Sequence, residues 1–202
     1  MAYVLGFFAA DGYITKKGNT GYLCFEIADK LLLESIRDTL ESDHTIGVRK
    51  PKNRKHSTSY RIQIGSKEMC DDLEKLGFKQ GKTFNLKLPN VPEECFGDFV
   101  RGYFEGDGNV WTGLNHKSQA IPNHAILVGF TSGCREFLEN LHRSLQKKGI
   151  MGGSLSKKLR GFNLKYSIND SLKIYKIMYD RQHGTLFLPR KKEVFERFFF
   201  GK

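Results

Sequence analysis

Apolar positions along the chain follow two rhythms. Residues 30–42, KLLLESIRDTLES, place Leu32, Leu33, Ile36 and Leu40 on one stripe of a helix. Residues 60–64 alternate instead: Tyr60, Ile62 and Ile64 take one side, Arg61 and Gln63 the other. Residues 164–168 repeat that rhythm, with Leu164, Tyr166 and Ile168 inward and Lys165 and Ser167 outward. On these rhythms the first part of the chain predicts a helix over 2–10 with Gly12 as its C-cap. A hairpin of 12–17 and 22–28 follows, turning on Gly-Asn-Thr-Gly. Next come the helix over 30–42, a second hairpin of 45–50 and 59–65, and a helix over 67–78.

The order α-β-β-α-β-β-α then recurs. A helix start is legible at Asn90-Val91-Pro92-Glu93-Glu94, with proline and two acids in its first turn. Strands are predicted near 108–113, 125–132, 152–160 and 162–169, and helices near 134–148 and 171–181. A further short helix is predicted over 191–200, and 79–91 reads as the linker.

The recurrence is also literal. VLGFFAADG (4–12) matches VRGYFEGDG (100–108), with Asp107 lying 96 residues after Asp11. LESIRDTL (33–40) resembles LENLHRSL (138–145) at an offset of 105, and YRIQI resembles LKYSI at 104. Drifting offsets are what loop insertions produce. The predicted fold is therefore α+β, made of two pseudo-symmetric αββαββα repeats spanning 1–90 and 91–202. Each repeat carries a four-stranded antiparallel sheet with one face on helices and one face open. This alignment gives Arg61 and Lys165 the same outward position.

The repeated motif breaks local rules twice in the same places. Gly6 and Ala10 lie four residues apart, as do Gly102 and Gly106, so small residues line one helix face. A glycine inside a helix costs up to about 1 kcal/mol relative to alanine. Close packing of the two motif helices on each other explains that cost. Asp11 and Asp107 stand at the helix C-termini, where the macrodipole disfavours a carboxylate by up to about 1 kcal/mol. One Asp-Gly after an apolar run reads as a turn. Two in the same register point to a divalent cation, whose charge reverses that penalty.

Composition narrows the partners. The chain has 33 Lys+Arg against 22 Asp+Glu, a net charge of +11, which favours an anionic partner, nucleic acid first and a membrane surface second. Cys24, Cys70, Cys95 and Cys134 stand alone, arguing against a zinc ribbon or a disulfide framework and for a reducing compartment. No run approaches the roughly 18 apolar residues of a membrane span. The opening run lacks a basic segment before it, so it does not read as a secretory leader. A cytoplasmic (nucleoid) or organellar location is expected.

The two motifs resemble the paired signature of LAGLIDADG homing endonucleases. Both align to the nine-letter pattern without gaps and keep its Gly at position three, its acid at position eight and its Gly at position nine. The resemblance covers nearly the whole chain. It implies a monomer whose two sheets form a saddle over double-stranded DNA. Asp11 and Asp107 are then the metal-binding catalytic acids, one per strand cut, with the carbonyls of Ala10 and Gly106 beside them. The implied cofactor is Mg²⁺, or another divalent cation such as Mn²⁺ or Ca²⁺. A basic residue near each active site is also implied, and Arg61 and Lys165 are the candidates. Position six is Ala9 in one motif and Glu105 in the other, so Glu105 receives no catalytic role.

The DNA contacts are sought on the outward strand faces and hairpin tips. RKPKNRKH (49–56) and KKLRG (157–161) occupy matching turns. Arg49, Lys50, Lys52, Arg54, Lys55, Lys157, Lys158 and Arg160 are the candidates for phosphate, with Arg61, Gln63 and Lys165 on the strands. His116 and His124 read as loop residues rather than metal ligands, and Trp111 falls on the outward side just after Asp107. Two functions remain open: a double-strand-cleaving endonuclease, or a maturase or transcription regulator on the same fold that binds without cutting.

Overall fold

The computed structural model describes residues 1–18, 20–51, 57–81, 85–115, 123–180 and 186–201. Helix α1 (Ala2–Asp11) leads directly into β1 (Gly12–Lys17) and β2 (Thr20–Ile27). Helix α2 (Lys30–Thr39) follows, then β3 (Gly47–Arg49), β4 (Ser59–Gly65) and α3 (Lys67–Lys75). The Asp29 carboxylate accepts from Leu32 N at 3.1 Å and Ser66 Oγ from Met69 N at 3.2 Å. These side chains satisfy amides that a helix start leaves unpaired, so both helices begin where a capping residue stands.

After a 3₁₀ turn (Glu93–Cys95) the pattern repeats as α4 (Phe96–Asp107), β5 (Gly108–Asn115), β6 (Asn123–Ser132) and α5 (Arg135–Lys147). It continues with β7 (Ser154–Lys158), β8 (Gly161–Tyr166) and α6 (Ile168–Tyr179). A last helix, α7 (Pro189–Phe200), has proline in its first turn and the left-handed Gly201 after it. The predicted helix over 191–200 is thus present and starts earlier.

Two antiparallel sheets result, in strand orders β1-β2-β4-β3 and β5-β6-β8-β7. Their inner faces, Phe25, Ile62 and Ile64 in one and Val128, Phe130, Leu164 and Tyr166 in the other, are buried under the helices. Phe8 meets Phe25 and Phe78 edge-on, and Phe104 meets Phe130 edge-on and Phe195 at a tilt.

One expectation is met and two are corrected. Gly12 is the C-cap of α1, on an extended backbone (φ −79°, ψ 158°). A Cβ there would stand 2.0 Å from the Phe8 ring, so glycine is required by space and not by conformation. Ile168 opens α6 and is exposed, so the β8 alternation stops at Tyr166.

The second correction concerns register. Gly12 pairs with Phe25 and Gly108 with Phe130, while Phe25 pairs with Ile62 and Phe130 with Leu164. Ile62 therefore corresponds to Leu164, Gln63 to Lys165 and Arg61 to Asn163. The sequence alignment slipped by two residues, which leaves every side chain on its own face because the strand period is two.

Candidate active site at the helix crossing

Helices α1 and α4 cross backbone to backbone. A Cβ on Gly6 would stand 2.0 Å from Phe99 O, and one on Gly102 2.0 Å from Tyr3 O. The two glycines play the same part from opposite sides. At the C-terminal end of the crossing, a Cβ on Gly106 would stand 2.4 Å from Ala10 Cβ and 3.1 Å from Asp11 Oδ2. The four predicted interface residues, Gly6, Ala10, Gly102 and Gly106, are thus brought together, and they bring Asp11 against the segment that carries Asp107.

Both carboxylates reach the same neighbours. Burial pushes the Tyr103 phenol far above its ordinary range, and Asp107 and Asp11 push it the same way. Its hydroxyl donates to Thr131 O at 2.7 Å. Lys191, buried in the first turn of α7, donates from Nζ to Phe104 O, Glu105 O and Gly108 O, each at 2.7 Å, and to Gly106 O at 3.4 Å. An ammonium thereby caps carbonyls at the C-terminus of α4, where the macrodipole favours a cation. Burial pulls this amine down to about 8, Arg190 adds to the fall, and Glu105, Asp11 and Asp107 oppose it.

Behind the carboxylates lies a buried polar cluster. Glu105 accepts from Tyr3 Oη at 2.5 Å, Tyr179 Oη at 2.9 Å and Leu188 N at 2.7 Å. Burial raises the Glu105 carboxyl, against these donors and the nearby Arg101, which favour its ionised form. Arg101 pairs with Asp98 at 2.7 Å and donates to Met178 O at 2.6 Å and Leu186 O at 3.1 Å. A cleft of about 430 Å³ opens beside Asp11, lined among others by Glu26, Asp29, Glu105, Leu188 and Arg190.

A family model described as the LAGLIDADG-like domain matches residues 1–77 and 97–178. The chain belongs to the LAGLIDADG family. Its replication factor C small subunit relative from Methanocaldococcus jannaschii is 27% identical over 156 residues, which is 75% of this chain but 7% of that protein. The homing endonuclease I-WcaI, solved bound to its DNA recognition sequence, superposes with a TM-score of 0.61 at 20% identity, covering 95% of this chain and 83% of that one. I-SmaMI, solved on an uncleaved DNA target with calcium ions, gives 0.60 at 15% identity, covering 96% and 88%. The N-terminal LAGLIDADG domain of WhiA gives 0.57 at 16%, covering 92% and 82%. These likenesses establish a shared fold.

The structure places the remaining predicted residues as follows. Arg61 lies on the open face of the first sheet over the Tyr13 ring, 5.9 Å from its centroid, with Nη2 3.9 Å from Cys24 Sγ. Arg49 shares that face and pairs with Glu26 at 3.6 Å, and Gln63 stands opposite Cys24. Lys50 is exposed just beyond β3. Lys158 and Lys165 share the open face of the second sheet, and Arg160 is exposed in the β7–β8 turn. Lys157, expected in the turn, lies instead within β7, pairs with Phe162 and so falls on the helix-side face with Leu155. Lys52, Arg54, Lys55 and His116 lie outside the described residues. His124 is exposed, and the Trp111 side chain stands on the open face as expected.

Sequence reasoning missed Lys191, Arg190 and the Glu105 cluster. A signal existed for the cluster: Asp98, Arg101 and Glu105 fall at i, i+3 and i+7, one buried stripe of α4.

Among the described residues, no three or more His, Cys, Asp and Glu side chains gather to hold an ion. What the crossing offers is two carboxylates and adjacent backbone carbonyls. That all-oxygen, sparsely charged set suits Mg²⁺ or Ca²⁺, which keep waters and substrate phosphates as ligands, better than zinc.

Proposed function

We propose that the chain is a site-specific endonuclease that hydrolyses both strands of a long duplex DNA target with divalent metal ions. The observation that carries this is the apposition of Asp11 and Gly106 at the end of the helix crossing. It sets two acids at equivalent ends of α1 and α4, each leading into a sheet that carries cations on its open face, one acid for each strand. Asp11 and Asp107, with the carbonyls of Ala10 and Gly106, would hold the cations. Bound there, Mg²⁺ would supply charge to the reacting phosphate and lower the pKa of a coordinated water. Lys191 holds the end of α4 in place, and Arg190, exposed at the cleft that Asp11 lines, offers a cation towards phosphate. Arg61 and Lys165 serve the DNA backbone or the margin of the site from the sheets.

The chain acts as a monomer, its two halves standing in for two subunits. It spans only 7% of the replication protein that it matches. A short segment shared with one part of a long protein suits an element carried in an intron or intein, and a cytoplasmic or organellar location.

A second reading on the same fold is a maturase or transcription regulator that binds nucleic acid without cutting. A randomised duplex library, incubated with Mg²⁺ and then with chelator, separates the two. Metal-dependent cleavage, reduced about 100-fold or more by Asp11→Asn with Asp107→Asn, is expected. Cleavage that survives the double substitution overturns the catalytic assignment. Tight binding with no cleavage under any divalent cation establishes the regulator.

A further inference from the structure

The two sheets offer different chemistry on their open faces. On the first, Gln63 and Tyr13 flank Cys24, Arg61 faces Glu26, and Arg49 faces Ser59. Ser59 Oγ donates to Glu26 at 3.0 Å. Every one of these residues except Cys24 carries a hydrogen-bonding group suited to a base edge or a phosphate.

On the second, two successive pairs of β5–β6 are apolar. Trp111 faces Leu127, and Gly113 faces Ala125. The indole lies along its strand over Gly113, where a Cβ would stand 2.5 Å from Cζ2. Any side chain at 113 would therefore lift the ring from the sheet. Ala125 is buried at 3% on this open face, while Trp111 keeps 43% of its surface exposed. The corresponding pairs in the first sheet are Thr15 with Tyr22 and Lys17 with Thr20. Lys165 stands opposite Gly129 on the same face as Trp111, and Lys158 shares that face.

An exposed indole backed by leucine and alanine, on a face that also carries Lys158, Lys165 and the exposed Asn109, is matched to a surface both anionic and locally apolar. Duplex DNA presents one such group in the major groove, the C5-methyl of thymine. We infer that the second sheet reads thymine methyl groups through Trp111 and Leu127, while the first sheet reads its half of the target by hydrogen bonding. The inference rests on the DNA-binding reading above and assigns unlike base chemistry to the two half-sites.

Deoxyuridine differs from thymidine only by that methyl. A duplex selected by the protein from a random library, in calcium, is remade with deoxyuridine in one half or the other. Affinity is expected to fall in one half only, by about fourfold per methyl reached. Trp111→Ala should remove the dependence, Trp111→Phe should retain part of it, and Leu127→Thr should weaken it. Trp111 is the chain's one tryptophan, so its emission should change on binding thymidine duplex and less on deoxyuridine duplex. Dependence in both halves, in neither, or surviving in Trp111→Ala overturns the inference while leaving DNA binding intact. Failure of any duplex to bind overturns the DNA reading itself.

Discussion

Helices α1 and α4 superimpose in register on a shift of 96 residues, and some positions hold along that shift while others change. Gly6 and Gly102, and Gly12 and Gly108, are the same residues in equivalent contacts, and Asp11 and Asp107 are the same residue at the same helix end. Ala2, Leu5 and Ala9 of the first helix become Asp98, Arg101 and Glu105 of the second. The constant positions are those where backbone meets backbone or where a carboxylate stands at the crossing. The changed positions face what each half packs beside its motif helix. In the second half those neighbours include the end of α6 and the entry to α7, so the acid site there is tied into the fold by buried charge and hydrogen bonds. Repetition is strict where two backbones touch and loose one turn away.

The widest test of that contrast is at the glycines. Gly6→Ala and Gly102→Ala should destabilise equally, each by about 3 kcal/mol, because each new methyl meets a carbonyl oxygen of the other helix. Chemical denaturation measures both, and unequal losses would break the symmetry of the crossing.

The contrast itself is tested one turn away. Glu105→Ala should lose about 2 kcal/mol, since two hydroxyls and an amide lose a charged acceptor, and Tyr3→Phe about 1 kcal/mol. The double variant should lose less than the sum, because both changes break one network.

Lys191 sharpens the comparison through pH. Its amine titrates at about 8 in the folded chain against 10.5 as a free side chain. Between those values the unfolded chain binds a proton that the folded chain does not. Stability relative to Lys191→Met should therefore rise from about pH 8 to 10.5, by up to about 1.4 kcal/mol per unit, and stay level below pH 8. Paired melts of the two proteins across that range measure it. A flat difference would mean that the amine stays charged in its ring of carbonyls.

The smallest effects belong to the sheet positions that the register makes equivalent. Lys165→Ala should lower the slope of log affinity against log salt by about 1, and Gln63→Ala should leave it unchanged. Neither should move the melting temperature, since both side chains stand on the open faces.

Much of this was legible in the sequence because the chain states it twice. The motif pair, the hairpins and the small-residue faces needed only comparison of one half with the other. The strand equivalence was misread because alternation is blind to a slip of two, and only the hydrogen-bonded pairs Phe25–Ile62 and Phe130–Leu164 resolve it. Lys191 was hidden by its neighbours: Arg190-Lys191-Lys192 reads as a solvated basic run, yet one of the three is buried against α4. Glu105 was passed over because its partners, Tyr3 and Tyr179, lie 102 and 74 residues away.

The Tyr3–Glu105 hydrogen bond also bears on self-recognition. Tyr3 corresponds to Phe99. Two second halves joined across the same glycine crossing would set each Glu105 against a phenylalanine, burying two carboxylates that each lack one of their three donors. Two first halves would set each Tyr3 against Ala9, which has no acceptor in its side chain. Each half thus carries one part of a lock whose key lies in the other. The fused chain specifies its own unlike pairing through a single hydroxyl and a single acid.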